Sequence, residues 1–304
     1  MTTKVLISDP IFEEGIKLLE QQGYQVTRAW DLSKSELPDI IGDYDALIVR
    51  SATKVNGELL AKAKHLKVIG RAGDGTDNVD VEKAHSQGIA VVNTPHIASV
   101  SVAELAIGFL LAVSRRIVDG TLSLRAGKWE KEELMGGEIK GKTLGIIGCG
   151  SIGREVKQLA SCLGMNVITV DICVSDEFVP MDKMLPQADF VTIHVPLTPH
   201  TKHLISSKEF AKMKTGVVLV NCSRGGIVDE EALYDALVSG KVKAAALDVF
   251  EHEPPKNNKL FTLTNVYGTP HIGAQTFEAQ RRTSEQIAKK VIEALVEAGS
   301  KTNG

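Results

Sequence analysis

The sequence predicts an α/β fold made of two doubly wound parallel-sheet domains with a cleft between them. Short apolar, β-rich runs alternate with helical patterns along most of the chain, which implies parallel βαβ units. Midway, Lys142 to Asp171 (KTLGIIGCGSIGREVKQLASCLGMNVITVD) reads as strand, glycine turn, helix, strand and acid. At 304 residues, and roughly 150 residues per domain, the chain is long enough for two domains.

In the first part, strands at Val5 to Ile7, Tyr24 to Thr27, Ala46 to Val49, Val68 to Ile69 and Ile89 to Val92 alternate with helices at Phe12 to Gln21, Gly57 to Ala63 and Val81 to Gln87. They form an α/β domain without a phosphate-binding hexamer. Beyond Pro95, Ser101 to Ser114 (SVAELAIGFLLAVS) is apolar nearly all round, and a helix of that kind is buried, within a monomer or under a partner subunit. Ile117 to Gly141, with Trp129 and Gly136-Gly137, reads as a looser arm able to wrap a second subunit.

After Asp171, strands are expected at Asp189 to His194, Val217 to Asn221, Ala244 to Asp248 and Val266 to Gly268. Helices intervene at Ser207 to Lys212 and Glu230 to Leu237, the second with Asp229 as its N-cap. Gln275 to Ala298 aligns Ile287, Val291, Ile292, Leu295 and Val296 on one face. Because the second sheet is complete before it, this helix is expected to return to the first domain. The expected partition is 1–95 with 273–304, and 96–272.

Composition is that of an ordinary globular protein, 43% hydrophobic and 24% charged, and the net charge of −3 gives no general attraction to nucleic acid or anionic membrane. Cys149, Cys162, Cys173 and Cys222 show no metal-ligand spacing, so no metal is expected and a reducing cytoplasm fits. The start, MTTKVLISDP, lacks the basic and apolar regions of a signal peptide, and the longest apolar run, Leu105 to Val113, is far short of the roughly 20 residues that span a bilayer. A soluble cytoplasmic protein is the expectation.

The central stretch has a physical logic. Gly148 permits the tight turn off the strand, Gly150 lets backbone approach a pyrophosphate, and Gly153 lets the helix pack close. The helix amino terminus offers N–H groups and positive dipole to phosphate. Asp171 would accept hydrogen bonds from ribose hydroxyls and repel a 2′-phosphate, which favours NAD over NADP.

Three polar stations follow strand ends: Asn221 to Gly226, Asp248 to Pro255, and Thr269 to Gly273. Strand carboxyl ends line the cofactor crevice of an open parallel sheet, so Arg224, Glu253 and His271 should converge. Oxidising a 2-hydroxy acid requires removal of the hydroxyl proton as hydride leaves C2, and a neutral histidine can take that proton near pH 7. That makes His271 the candidate base. Glu253 would pair with it and favour its protonated form, and Arg224 would grip the carboxylate and C2 oxygen. The other histidines, including His194, His203 and His252, read as structural or exposed.

The chain resembles the D-isomer-specific 2-hydroxyacid dehydrogenases over essentially its whole length. The resemblance rests on VRSATKVN (Val49 to Asn56), GRAGDGTDNVD (Gly70 to Asp80), NTP (Asn93 to Pro95), SVAEL (Ser101 to Leu105), GKW (Gly127 to Trp129) and MGGEIKGKTLGIIG (Met135 to Gly148). Further along it rests on NCSRGGIVDEEAL (Asn221 to Leu233), ALDVFEHEPP (Ala246 to Pro255) and TPHIGAQTFEAQ (Thr269 to Gln280).

The resemblance implies a Rossmann NAD-binding domain, a flavodoxin-like substrate domain and hinged closure between them. It implies Arg224, Glu253 and His271 as the catalytic set, in agreement with the reading from the residues. Ser151 and Ile152 should contact the pyrophosphate beside Gly148, Gly150 and Gly153, and Asp171 the ribose; Cys222 should lie on the nicotinamide side and Asp248 at the carboxamide, with Val195, Gly273 and Ala274 also touching cofactor. Arg50 and Ser51 should meet the substrate's anionic tail, and backbone N–H groups of Gly73, Asp74 and Gly75 its carboxylate.

Within the family the motifs point to oxidation of 3-phospho-D-glycerate, the first step of serine synthesis, with reduction of glyoxylate, hydroxypyruvate or another 2-keto acid as the alternative. A corepressor-like NAD sensor is the remoter reading. The resemblance also implies a homodimer through the NAD-binding domains. Three departures stand out: Asp74 replaces a small or apolar residue, Ala98 replaces a common Asn, and the passage from Asp171 to Asp189 is short, which predicts a reduced crossover. With the chain ending at Gly304, no carboxy-terminal regulatory domain is expected.

Overall fold

The computed structural model describes residues 2–33, 35–172 and 177–301, and the counts given below are of those residues. Cys173 lies outside them. The chain divides into two compact units, Met1–Ala98 with Gln275–Gly304, and Ser99–Ala274. These bounds fall two or three residues beyond the 95/96 and 272/273 expected from sequence.

The first unit holds β1 (Lys4–Ile7), β2 (Gln25–Arg28), β3 (Ala46–Val49), β4 (Val68–Arg71) and β5 (Ala90–Asn93), all parallel, in the order β2-β1-β3-β4-β5. The four residues of β3 are fully buried because helices cover both faces of the sheet. Leu59, Leu60 and Leu66 pack on one face. On the other, the final helix Phe277–Lys301 presses Ile287, Ala288 and Val291 onto the sheet, each large side chain stabilising by about 1.5–3 kcal/mol. Gly70 makes this approach possible: a Cβ there would lie 2.6 Å from Val291 Cγ2.

The second unit holds β6 (Thr143–Ile147), β7 (Asn166–Val170), β8 (Phe190–Ile193), β9 (Val217–Asn221), β10 (Val242–Leu247) and β11 (Val266–Gly268). Its sheet is also parallel, in the order β11-β10-β9-β8-β6-β7. Both sheets are thus doubly wound, with a reversal of strand order between β1 and β3 in one and between β6 and β8 in the other. Beyond β7 only a single bridge, Thr169 to Phe178, marks where a further strand would pair, and the helix before β8 is the one turn Met181–Met184. The expected reduction of the crossover falls partly on residues 173–176, which lie outside the described residues.

The apolar helix runs from Ser99 to Ser114 and is buried within its own unit, with Ala103, Ala106 and Leu110 sealed against the Ser151–Cys162 helix and the sheet. The expectation of a loose arm after it is corrected in part, because Ile117–Arg125 is a regular helix. Its entry is held by Arg116 in the left-handed conformation, whose Nε donates to Asp119 Oδ2 at 2.9 Å. The pattern hid this helix because Ile117, Val118, Leu122 and Leu124 are all exposed and form no buried stripe.

Candidate active site

The glycine turn is built as its spacing demands. Gly148 has φ +92, and a Cβ on it would lie 2.4 Å from His194 O and 2.7 Å from Val195 Cγ1, at the reversal between β6 and β8. A Cβ on Gly153 would lie 2.0 Å from Gly148 O, so only glycine lets the helix start so close to the strand. At Gly150 the corresponding space is open, and Gly150 is the N-cap position of the Ser151–Cys162 helix. Ile152 lies in the first turn of that helix. An anion entering there meets helix N–H groups and the positive end of the dipole.

Asp171, following β7, accepts a hydrogen bond from Cys149 N at 2.6 Å, which fixes its carboxylate beside the turn. Burial pushes the Cys149 thiol above its usual range, and burial with the nearby Asp248 charge does the same to Cys222, so neither is a thiolate nucleophile. His194 is pushed down to about 3 by burial, so it is neutral, and its Nε2 lies 2.9 Å from Thr192 Oγ1.

The three polar stations come together at the carboxyl edge of the second sheet. His271 Nδ1 and Glu253 Oε2 are 2.7 Å apart. His271 has φ +54, a conformation held by its N–H donating to Asp248 O at 2.9 Å and to Thr269 O at 3.0 Å. Burial alone would raise the Glu253 carboxyl. The His271 hydrogen bond and charge, the Phe250 N–H and the Arg224 charge outweigh it and hold the carboxyl below the usual carboxylate range. Glu253 therefore stays an acceptor well into acid, and the Nδ1 contact leaves the far nitrogen of His271 for proton transfer.

The turn bearing Arg224 is tied down by Asn221, whose Oδ1 accepts from Ser223 N and Oγ at 3.1 and 2.7 Å and whose Nδ2 donates to Arg224 O at 3.1 Å. Arg224 Nη1 donates to Ser223 O at 2.8 Å. Asp248, expected at the carboxamide, is the clamp of the histidine loop. Its Oδ1 accepts from Thr269 Oγ1 at 2.6 Å and Ile272 N at 2.7 Å, and its Oδ2 from Gly273 N at 2.8 Å. Ala274 is the last residue of this unit.

Arg50, Ser51, Gly73, Asp74 and Gly75 belong to the other unit, after β3 and β4. The loop after β3 is gripped from both sides. Buried Asp9 accepts from Arg50 N at 2.7 Å, Thr53 N at 3.1 Å and Thr53 Oγ1 at 2.8 Å, while Asn78 Nδ2 donates to Arg50 O and Thr53 O, both at 2.6 Å. Arg50 reaches Pro10 O at 3.3 Å and Gln275 Oε1 at 3.2 Å. Asp74 is exposed, and its Oδ1 accepts from His96 N at 3.0 Å while its carbonyl accepts from Asn93 Nδ2, so its carboxylate is engaged with the chain after β5.

Sequence reasoning did not single out Asp9, Asn78, Asn221 or Arg71, whose guanidinium covers the Cβ side of Gly73. His203, read from sequence as structural or exposed, is exposed, with Nε2 3.2 Å from Glu251 Oε1 and Nδ1 3.8 Å from Asp229 Oδ2. Asp9, Asn78 and His203 act through partners distant in sequence, whereas Asn221 and Arg71 act on their own turns.

The family model for the NAD-binding domain of D-isomer specific 2-hydroxyacid dehydrogenases matches residues 107–273. A D-3-phosphoglycerate dehydrogenase of Methanocaldococcus jannaschii is 48% identical over 96% of this chain, which spans 57% of that relative's length. A hydroxypyruvate reductase of Thermotoga maritima is also 48% identical, over 96% of this chain and 98% of its own. Among solved structures, a glyoxylate reductase from Paecilomyes thermophila superposes with a TM-score of 0.86 at 32% identity, covering 96% of this chain and 95% of that one. The two parallel sheets and the glycine turn define a nicotinamide-dependent oxidoreductase fold, and the chain belongs to the D-isomer specific 2-hydroxyacid dehydrogenase family. Its cofactor is NAD, bound by the second unit.

Proposed function

We propose that the chain oxidises 3-phospho-D-glycerate at C2 to 3-phosphohydroxypyruvate with NAD, the first step of serine synthesis. The observation that carries a dehydrogenase reading is the 2.7 Å pair of His271 and Glu253 beside Arg224, on a unit with an open glycine turn and an acid, Asp171, fixed beside that turn. NAD, when bound, supplies the hydride acceptor. His271 takes the C2 hydroxyl proton on its far nitrogen as the hydride departs, leaving a carbonyl. Glu253 stabilises the imidazolium through Nδ1, and Arg224 orients the carboxylate and stabilises charge on the C2 oxygen. Arg50 and Ser51 serve the phosphate-bearing end, and N–H groups of Gly73 to Gly75 the carboxylate.

A second reading, reduction of hydroxypyruvate or glyoxylate, is favoured by the relative of matching length from Thermotoga maritima. Steady-state rates on 3-phosphoglycerate, glycerate, lactate, hydroxypyruvate and glyoxylate, each with NAD(H), separate them. The expected result is the highest kcat/KM on the phosphorylated acid; higher turnover of unphosphorylated acids selects the second reading, and no turnover of any refutes both. An NAD-sensing interaction role would show NADH binding with no turnover.

Cofactor choice is testable at one residue. Asp171→Ser removes the charge that opposes a 2′-phosphate, and the ratio of kcat/KM for NAD over NADP should fall by about tenfold or more, near 1.4 kcal/mol. An unchanged ratio would show that Asp171 does not face the ribose.

The protein acts in the cytoplasm as a homodimer through its NAD-binding unit. Trp129, Leu122 and Ile117 expose 83%, 56% and 55% of their surface on or just after the Ile117–Arg125 helix, an apolar patch of the kind that marks an interface. Leu122→Glu should halve the mass seen by sedimentation. A wild-type monomer would refute the assembly. Among the described residues no helix is long and apolar enough to cross a membrane.

A further inference from the structure

Behind the catalytic stations lies a polar cluster that the reaction does not use. The helix Glu230–Val238 follows the turn of Arg224, and Glu230 accepts a hydrogen bond from Glu251 N at 2.7 Å while its own N–H donates to Glu251 Oε1 at 3.2 Å. Glu230 Oε2 also accepts from Asn258 Nδ2 at 2.6 Å, so one carboxylate holds both ends of the segment that contains Glu253. His203 completes the cluster. Its N–H donates to Gly226 O at 2.8 Å, and its ring sits between Glu251 and Asp229, 3.2 and 3.8 Å away.

The backbone at His203 has φ +50, a left-handed conformation that a side chain with a Cβ adopts only when its surroundings hold it there. That backbone cost is sustained at a point touching two of the three stations: Gly226 belongs to the Arg224 turn, and Glu251 stands two residues before Glu253. The same two segments meet again at Gly225, where a Cβ would lie 1.8 Å from Phe250 O.

We propose that His203, acting with Glu251 and Glu230, is a positioning residue that holds Glu253 in register with His271. The proposal rests on the dehydrogenase reading above, and one arm of its test does not. The ring of His203 bears on Glu251 Oε1, the same oxygen that receives the Glu230 N–H, so losing the ring loosens the reciprocal pair and with it the loop. Glu253 then loses its fixed distance to Nδ1, and the imidazolium formed at His271 is less well stabilised. Among the described residues the hydrogen bonds and ion pairs of the cluster lie within the Gly226, Asp229–Glu230 and Glu251–Asn258 segments, away from the glycine turn, so cofactor affinity should not change.

The test is a double-mutant cycle on the full-length protein, with the acid of highest turnover as substrate. His203→Ala should lower kcat by about tenfold with the KM for NAD unchanged, and His203→Gln, which keeps a hydrogen-bond donor near the ring position, should restore most of it. In a Glu253→Gln background His203→Ala should cost little more, because its effect is transmitted through Glu253. A full tenfold further loss in that background, or a rise in the KM for NAD, would overturn the proposal in favour of a general structural role. Independently of turnover, the nitrogen NMR signal of His271 Nδ1 should move in His203→Ala in the direction seen in Glu253→Gln. An unmoved signal in a variant of normal melting temperature refutes the positioning role even if the substrate assignment stands. If no acid is turned over but the signal moves, the positioning role stands and the function reading falls.

Discussion

His271→Ala lowers kcat/KM for the hydroxy acid by about 100- to 10,000-fold while NADH binding, followed by fluorescence, stays close to wild type. The range is that of a general base, and its position within the range is set by how well solvent replaces the imidazole. The binding control follows from the geometry, since the glycine turn and Asp171 follow β6 and β7 and the His271 loop is held separately by Asp248. Glu253→Gln keeps the shape of the partner and removes its charge. It should lose most of the turnover, because the charge that stabilises the imidazolium formed on proton transfer is gone. The wild-type pair persists into acid because the Glu253 carboxyl lies below its usual range. A depressed carboxyl contributes stability that is present above its unfolded value and is lost as pH falls through the folded one, so the contact should fail only below the normal carboxylate titration. Turnover within twofold of wild type in both variants would remove the acid–base role assigned to the pair.

Gly225→Ala should be the most damaging single methyl in the site. Its Cβ would lie 1.8 Å from Phe250 O, 2.1 Å from Phe250 C and 2.7 Å from Glu251 N, all backbone atoms that no rotamer change can move aside. Relief requires the Arg224 turn and the Glu253 loop to separate. Overpacking of this kind costs about 1–3 kcal/mol of stability. Catalysis should suffer more than stability does, since an ångström of displacement between positioned groups costs about 100-fold in rate. Thermal melts and kcat on the same preparation check this, and a variant with normal kcat would mean the two segments are not rigidly coupled. Gly226→Ala is the contrast, because beside it a Cβ meets only Leu197 methyl carbons at 3.8 and 3.9 Å, although its φ of +78 carries its own backbone penalty.

Much of this was legible in the sequence, for reasons that vary with the element. The doubly wound sheets announce themselves because strands buried on both faces must be continuous apolar runs, as β3 and β9 are. The glycine turn and Asp171 are legible because their spacing is dictated by close backbone approach within one βαβ unit. Arg224, Glu253 and His271 follow from their places after strand ends. What stayed hidden has no local signal. The Ile117–Arg125 helix keeps its apolar residues outside and so lacks the periodicity that reveals a helix. The hold of Asp248 on the histidine loop, through both its oxygens, is a role its place after a strand does not announce. Asp9 and Asn78 are separated from the loop they grip by up to 44 residues of chain, and His203 from Glu251 by a whole strand–helix–strand passage.

The final helix has a consequence for how the protein is made. The first unit exposes the face of β1, β3 and β4 that carries Val5, Ile7, Ile48 and Val68 until Ile287, Val291 and Leu295 arrive to cover it. Gly15 and Gly70 are reserved for that arrival, since a Cβ on either would strike Ser284 O at 2.3 Å or Val291 Cγ2 at 2.6 Å. On the ribosome, of these two units the one begun first is therefore the one finished last. The cofactor-binding unit, continuous from Ser99 to Ala274, can complete its sheet while the amino-terminal unit still waits with a bare apolar face for the last helix to emerge.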